Sequence, residues 1–313
     1  MELLYVTKAD FLQQICGDPD ETTSEIFDNY FLHNGLFLQH AHNLTTKEYS
    51  EIIIDVLQTL DVDIKTSGTE IKKAAWHAGW AENLEEYKST HKIDAIVPKY
   101  YRPSKYLRMN GTYIIPSYPD KFEYTYVNLF RIWMFEKYFA NRTVVYEFGC
   151  GSGDNLAHFC RLYKTPAVGA DYVQTSVDLV NTLAAHNEYD LRGQLFDMTI
   201  PDYNMSIPSN SALFTMGALE QVPVGYDKFV DFVCAKKFAL CMHIEPLYEL
   251  YDKHNLSDYL AIKFHEKRNY IKGFVPLLKQ LVAEGKIEIL DTYRPLFGNM
   301  MQDSWSYIIW RPL

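Results

Sequence analysis

Residues 144–156 read VVYEFGCGSGDNL, an apolar stretch followed by three alternate glycines and the start of a helix. Gly149, Gly151 and Gly153 permit a tight strand-to-helix turn and the close approach of a ligand to the backbone. Backbone N–H groups at the start of the helix would then face that ligand. Such a turn also needs glycine for structural reasons alone, so the interpretation depends on the residues around it.

Acidic residues stand at the ends of the first three predicted strands. Glu147 precedes the glycines, and Asp171 follows the second strand, where a carboxylate can accept hydrogen bonds from both hydroxyls of a ribose. Asp197 and Met198 follow the third strand, where an acid can accept from an adenine amino group and a methionine can pack on the ring. One such acid alone is most often a loop or cap residue, but three at successive strand ends indicate a binding site.

Strands and helices alternate from residue 143 onward. The predicted strands are 144–148, 167–170, 193–196, 212–216, 238–243, 287–293 and 307–310. The predicted helices between them include 155–163, 176–185, 226–233 and 270–283. This alternation predicts an α/β fold with a mostly parallel sheet and helices on both faces. The last two strands lack an obvious helix between them, so an antiparallel pair is expected there.

The residues before 143 divide into two parts. Residues 1–95 are predicted to form a mainly helical substrate or accessory region. Helix-capping patterns begin at Thr22, Thr45 and Ser67. Residues 96–121 are rich in proline and tyrosine, which excludes a long helix and predicts a lid or linker. A helix over 122–139 then opens a domain that spans residues 122–313.

The composition indicates which classes of binding partner and which cellular compartment to expect. The chain has 30 Lys and Arg against 40 Asp and Glu, a net charge of −10, which disfavours nucleic-acid binding. Its five cysteines include no CxxC pair, and no cluster has metal-ligand spacing, so neither disulfides nor a metal is expected. No signal-peptide pattern or membrane-spanning apolar run is apparent. We therefore expect a cytoplasmic protein without a membrane partner.

The GxGxG pattern after an acid, with Asp171 and Asp197 downstream, resembles the class I S-adenosylmethionine-dependent methyltransferases. Nicotinamide enzymes carry GxGxxG instead. The resemblance covers about residues 122–313. It implies a Rossmann-like fold whose seven-stranded, mostly parallel sheet has the order 3-2-1-4-5-7-6, with strand 7 antiparallel. It also implies S-adenosyl-L-methionine as the cofactor.

The same resemblance implies where that cofactor binds. Glu147 and the glycine loop would lie beside its methionine part. Asp171, with the neighbouring Tyr172, would hold its ribose, and Asp197 with Met198 would hold its adenine. Residues just before strand 1 often close over the cofactor in this family, which adds Tyr124 and Arg131 as weaker candidates.

The ends of the fourth and fifth strands would face the methyl acceptor, because ligands of open α/β sheets bind at the carboxyl ends of the strands. Many small-molecule methyltransferases carry Leu-Glu-His after strand 4, whereas Gln221 here follows Glu220. The candidates for removing a proton from the acceptor are therefore His243, Glu245 and Glu220. Two alternatives stay open, namely that His243 is a core residue and that Glu245 is a loop carboxylate.

The segment 98–111 combines basic and aromatic residues without an acid. It predicts a lid over an anionic substrate or over the cofactor carboxylate, or a short nucleic-acid contact. The third alternative is that its tyrosines pack on the core. The candidate substrate-binding residues, from this segment and the following helix, are Tyr100, Tyr101, Arg102, Tyr106, Arg108 and Tyr126.

These features together predict a methyltransferase acting on a small molecule. We expect O-methylation of a sugar, a glycan precursor or a secondary metabolite. The basic segment leaves open an RNA or protein methyltransferase, and Gln221 in place of His leaves open a cofactor-binding module without catalysis. A nicotinamide oxidoreductase also stays open, because glycine loops are shared between these folds.

Overall fold

The computed structural model describes residues 3–41, 44–99, 101 and 103–313. Its helices α1 to α10 are, in order, Lys8–Cys16, Glu25–Asn34, Thr46–Asp61, Glu70–Thr90, Phe122–Met134, Asp154–Leu162, Gln174–Asn187, Tyr226–Lys236, Leu256–Arg268 and Phe274–Ala283. Its strands β1 to β12 are, in order, Leu3–Tyr5, Gln39–Ala41, Leu107–Met109, Thr112–Pro116, Val145–Phe148, Ala167–Asp171, Leu191–Leu195, Ala212–Met216, Leu240–Ile244, Ile287–Tyr293, Phe297–Gly298 and Tyr307–Pro312.

The larger sheet, among the described residues, contains seven strands in the order β10-β12-β9-β8-β5-β6-β7. The strands β5 to β9 are parallel to one another, and β12 is antiparallel to both β9 and β10. Counted within this sheet alone, the order is 3-2-1-4-5-7-6. Parallel neighbours require crossover connections, so helices cover both faces.

The two faces of this sheet are packed by different helices. Successive strand residues point to opposite faces, so Val145 and Met242 belong to the core that contains α5, α6 and α7. Their neighbours Tyr146 and Cys241 belong to the core beside α8 and α10. The carboxyl ends of the parallel strands lie together at one edge of the sheet.

A second, five-stranded sheet joins distant parts of the chain in the order β1-β2-β4-β3-β11. The sequence predicted a mainly helical region over residues 1–95 and a lid or linker over 96–121. The first region also contributes β1 and β2, and the second forms β3 and β4. Asn110 and Gly111, both at positive φ, make the turn between them, as expected for a tight hairpin. β11 comes from the C-terminal region, so the small sheet connects the N-terminal helices to the larger domain.

Several helix ends differ from the sequence predictions for local reasons. Thr45 forms the predicted capping box with Glu48, but α4 starts after Thr69 rather than Ser67, because the Thr69 side chain caps Lys72. The helix predicted over 270–283 begins only after Gly273, whose φ of +88° interrupts it.

None of the helices among the described residues is long and apolar enough to cross a membrane.

Candidate functional site

A cavity of about 270 Å³ opens at the carboxyl ends of β5, β6, β7 and β8. One wall consists of residues that follow these strands, and another is the N-terminal half of α4. The predicted cofactor residues in its lining are Glu147, Gly149, Gly151, Asp171, Tyr172, Asp197 and Met198. Gly153, the N-cap of α6, does not line it, and a Cβ on this residue would lie 3.0 Å from Cγ2 of Val180 in α7. The structure thus brings together the residues predicted from three separate strand ends.

The glycine loop is held where other elements approach it. Gly149 and Gly151 have φ of +77° and +53°, in the region that favours glycine. A Cβ on Gly149 would lie 2.4 Å from the Cβ of Ala218, and one on Gly151 would lie 2.7 Å from Cζ2 of Trp80. Any larger residue would therefore displace a cavity wall as well as strain the backbone.

Glu147 lies at the base of the loop and is 1% exposed. Asn155 Nδ2 donates a hydrogen bond of 2.6 Å to its Oε1, while its buried Oε2 accepts none from the described residues. Burial raises the pKa of this carboxyl to about 8, although the hydrogen bond from Asn155 by itself lowers the pKa. A buried polar atom without a partner, in the wall of a cavity, is suited to bind a donor group of a ligand.

We expect the substitution Glu147→Gln to stabilise the ligand-free protein at alkaline pH. The raised pKa of Glu147 gives stability that is present below about pH 4.3 and is lost as the pH rises through the folded-state value. Glutamine does not titrate, so the variant does not lose this stability. The free energy of unfolding of the variant, relative to that of wild type, should therefore increase by on the order of 1–3 kcal/mol from pH 5 to pH 9. Urea unfolding at both pH values measures it, and an equal difference at both would contradict the assignment.

Asp171 holds the backbone of the cavity through both of its carboxylate oxygens. Gly151 N donates to Oδ2 and Val173 N donates to Oδ1, both at 2.9 Å. Each oxygen keeps a second lone pair, so the carboxylate can still accept from the hydroxyls of a ligand. Burial raises its pKa to about 6, with these two hydrogen bonds opposing the shift.

Asp197 and Met198 lie beside this carboxylate at the end of β7. The backbone N and the Oγ1 of Thr199 donate to Asp197 Oδ1 at 2.8 and 2.7 Å. The Met198 Cε lies 3.7 Å from the position that a Cβ of Gly149 would occupy. Met198 therefore presents an apolar surface next to the glycine loop, and Asp197 adds a polar group to the lining of the cavity beside it.

A buried ion pair supports the start of α6. Arg131 Nη2 lies 2.6 Å from Asp154 Oδ2, and both side chains are 2% exposed. The Tyr124 hydroxyl donates to Asp154 Oδ1 at 3.3 Å. Arg131 and Asp154 line the cavity, so this part of its wall is polar but compensated in charge.

The α4 wall was not predicted from the sequence. Lys72, Trp76 and Trp80 line the cavity, and the two indoles stack with centroids 5.4 Å apart and 11° between their planes. The Lys72 Nζ lies 4.4 Å from the centroid of Trp76. Their spacing could have indicated this wall, because residues four positions apart lie on one side of a helix.

His243 lies in the core rather than in the cavity. Its ring packs against Phe274 and Trp310, with centroids 5.0 and 6.1 Å away, and Thr215 Oγ1 lies 3.0 Å from its Nδ1. Burial lowers its pKa to about 3. The prediction that this imidazole reaches an acceptor is therefore wrong, because strand alternation turns it toward α8 and α10.

Glu245 anchors the loop after β8. Its two oxygens accept from the backbone N of Ala218, Leu219 and Glu220 at 3.2, 3.0 and 3.1 Å. Burial raises the pKa of Glu220 to about 7, and Gln221 Nε2 donates to Glu220 Oε1 at 2.6 Å. Neither carboxylate lines the cavity, whereas Gln221 does. These carboxylates position the wall instead of meeting a ligand directly.

We expect Glu245→Gln to lower the free energy of unfolding by about 2–3 kcal/mol, because the amide turns a donor toward a backbone N–H that has lost its acceptor. Glu288→Gln is the matched control, since Glu288 makes an exposed ion pair with Arg311 and its loss should cost less than about 1 kcal/mol. Chemical denaturation of both variants measures the difference. Equal small effects would contradict the anchoring role.

The predicted substrate residues are not brought to this cavity. Tyr106 packs in a separate apolar cluster with Ile52 and Val56. Arg108 is buried between Asp258 and Asp303, at 3.0 Å from each.

The remaining predicted substrate residues come from the adjoining segment and helix. Tyr126 is fully buried and stacks on Phe297, with centroids 3.6 Å apart. Tyr101 packs between Tyr124 and Trp305 but does not line the cavity. Tyr100 and Arg102 lie outside the described residues. The described tyrosines of this segment serve packing, which was the third alternative for it.

The fold of the chain is similar to those of solved structures, whereas comparisons of its sequence with protein families and curated proteins find no match. No protein-family model matches the chain, and no curated protein matches it. Similar solved structures include the [4+2]-cyclase SpnF, with a TM-score of 0.45, 11% identity, and 74% of this chain and 78% of that chain covered.

The similar structures also include methyltransferases. The dimethyltransferase RosA of Streptomyces davawensis has a TM-score of 0.41 and 13% identity, over 78% of this chain and 71% of its own. A SAM-dependent methyltransferase of Aquifex aeolicus has a TM-score of 0.41 and 13% identity, over 58% of this chain and 89% of its own. At these values the likeness says nothing about the reaction, which must be inferred from the residues of the cavity.

Proposed function

We propose that the protein is an S-adenosyl-L-methionine-dependent methyltransferase that acts on a small molecule. The observation that carries the proposal is the convergence of the glycine loop, Glu147, Asp171 and Asp197 on one cavity at the carboxyl edge of the parallel sheet. This edge is where ligands of open α/β sheets bind.

The residues of the cavity fit this cofactor in charge and shape. The unpartnered oxygen of Glu147 suits the ammonium group of the methionine part. Asp171 keeps lone pairs for two ribose hydroxyls, Asp197 suits the adenine amino group, and Met198 offers an apolar face to the ring. The glycines leave room that a Cβ would fill.

The bound cofactor would supply an activated methyl group, and the chain would supply position and exclusion of water. Orienting two reactants in one cavity accounts for a large part of such a rate enhancement. O-methylation of a secondary metabolite, a sugar or a glycan precursor is the acceptor chemistry that we favour. None of the three carboxylate or imidazole groups first considered as bases lines the cavity.

Isothermal titration of the purified chain with S-adenosylhomocysteine tests the proposal. We expect one site with a dissociation constant in the micromolar range, which corresponds to about −8 kcal/mol. Titration with NAD under the same conditions is the control, since nicotinamide enzymes share the glycine loop. Binding of NAD but not of S-adenosylhomocysteine would overturn the proposal in favour of an oxidoreductase.

The nucleic-acid alternative loses part of its basis in the structure. Lys99 lies 3.0 Å from Glu82, and Arg108 is buried in ion pairs. Two of the cations that motivated this alternative are thus compensated by carboxylates, which reduces their attraction for phosphate. Titration with a short RNA at low salt is the corresponding test, and tight, salt-sensitive binding would restore this alternative.

A further inference from the structure

The α4 wall contains two stacked indoles with a cation over the ring nearer the start of the helix. Trp76 and Trp80 stack in nearly parallel planes, and Lys72 lies over the face of Trp76. All three line the cavity. Trp80 is the member that packs against the glycine loop, next to Gly151. Trp76 and Lys72 lie one and two turns closer to the N-terminus of α4, and so away from that loop.

The loop after β8 closes this end of the cavity. Gln221 and Pro223 line it together with Lys72, and a Cβ on Gly68 would lie 3.0 Å from Cγ of Pro223. β8 and β6 lie on opposite sides of β5. Trp80 lies on the Asp171 side, next to Gly151, whereas Lys72 and the β8 loop lie on the other side of β5 from Asp171, which the proposed function assigns to the cofactor.

The two walls differ in charge. The strand-end wall carries the carboxyl groups of Glu147, Asp171 and Asp197, whereas Lys72 extends from α4 and makes no ion pair with any described residue. The charged groups around it are Glu220, Arg268 and Lys65. Burial and the nearby Arg268 lower the pKa of Lys72 to about 8, while Glu220 opposes this shift. A partly desolvated cation without a paired anion is a suitable partner for an anionic ligand group.

We propose that the methyl acceptor is a planar aromatic compound with an anionic group, and that it binds with its ring against Trp76 and its anion at Lys72. The inference rests on the proposed function, because it assigns the acceptor end of the same cavity. Trp80 stacks on one face of Trp76 and Lys72 lies over the other, so the acceptor ring would meet the edge of this indole. Edge-to-face contacts between aromatic rings are favourable, and an ammonium attracts a carboxylate or phenolate as a point charge. The lysine specifies the anion, and the indole specifies the flat ring.

The probe is 2-hydroxybenzoate, titrated calorimetrically into the full chain saturated with S-adenosylhomocysteine. Two analogues separate the contributions: 2-hydroxybenzamide keeps the shape without the charge, and cyclohexanecarboxylate keeps the charge without the flat ring. We expect 2-hydroxybenzoate to bind at least about tenfold more tightly than either. Quenching of the indole fluorescence gives a second readout that does not depend on turnover. The affinity should decline above pH 8, as Lys72 loses its proton.

Variants of α4 localise the effect. Lys72→Met should weaken 2-hydroxybenzoate binding by about tenfold or more, and Lys72→Arg, which keeps the charge, by less than about threefold. Trp76→Leu should weaken 2-hydroxybenzoate more than cyclohexanecarboxylate. Lys88→Met is the matched control, because Lys88 is an exposed residue of the same helix that pairs with Glu85, and it should change nothing.

The outcomes separate this inference from the proposed function. If Lys72→Met leaves the affinity for 2-hydroxybenzoate unchanged, or if the neutral amide binds equally well, the inference is overturned. If Lys72→Met weakens S-adenosylhomocysteine as strongly as it weakens 2-hydroxybenzoate, Lys72 belongs to the cofactor site and the inference fails while the proposed function stands. If the wild type binds no S-adenosylhomocysteine, the proposed function fails, and titration of 2-hydroxybenzoate into the ligand-free protein still tests the α4 surface.

Discussion

The substitution Gly149→Ala should abolish measurable binding of S-adenosylhomocysteine and lower the free energy of unfolding by about 2–6 kcal/mol. Two costs add at this position. A φ of +77° strains any residue with a Cβ by about 1–3 kcal/mol. The new methyl group would also lie 2.4 Å from the Cβ of Ala218, an overlap that costs about another 1–3 kcal/mol. Relief of that overlap moves the β8 loop, which forms a wall of the cavity.

Gly285→Ala is the matched control for this substitution. Gly285 also has a positive φ, of +68°, but no atom lies within 4 Å of the position that its Cβ would take. It should therefore show only the backbone strain, about 1–2 kcal/mol. Thermal unfolding and calorimetry on both variants give the comparison. A Gly149→Ala protein that is as stable as Gly285→Ala and still binds the ligand would contradict the packing of the glycine loop.

The substitution Asp171→Asn should weaken S-adenosylhomocysteine by about 100-fold, because each hydrogen bond to a charged carboxylate contributes roughly 1.5–3 kcal/mol. The amide can accept at only one of its two ends. Its nitrogen would also face either Gly151 N or Val173 N, both of which now donate to this side chain. The unfolding free energy should consequently fall as well, and this is measured separately from binding.

The pH dependence distinguishes a lost ligand contact from a displaced loop. Burial raises the pKa of Asp171 to about 6, so protonation below that value removes an acceptor from the ribose. The wild type should bind S-adenosylhomocysteine more weakly as the pH falls through 6, and Asp171→Asn should not show this change. Asp178→Ala, in an exposed position of α7, should behave as wild type. A pH-dependent Asp171→Asn variant would show that another group carries the titration.

The glycine loop and the acids after it could be predicted from the sequence because they depend on local features. A turn at positive φ needs glycine wherever the chain lies, and an acid at a strand end is visible in the alternation of strands and helices. Glu147, Asp171 and Asp197 therefore meet in the cavity as their positions along the chain suggested. Strand and helix bounds differ from the predictions by only a few residues where the pattern is regular.

The other parts of the site depend on which surfaces meet, which a local pattern does not reveal. His243 follows a strand pattern suited to either face, and only the packing of α8 and α10 shows that it is buried. Arg108 belongs to a basic segment in sequence but finds Asp258 and Asp303 from remote parts of the chain. The strands of the small sheet are mostly three residues long or less, too short to show a period of two.

The position of β11 in the small sheet has a consequence for synthesis on the ribosome. β11 pairs with β3, and Phe297 stacks on Tyr126, so an earlier segment of the chain pairs with one that is synthesised much later. β12, the final strand, then enters between β9 and β10. When an early segment pairs with a strand that is synthesised later, its apolar surface stays exposed until that strand has left the ribosome. Nascent chains stopped before residue 297 should consequently be protease-sensitive over their whole N-terminal third, and protection should appear only when β11 and β12 have left the exit tunnel.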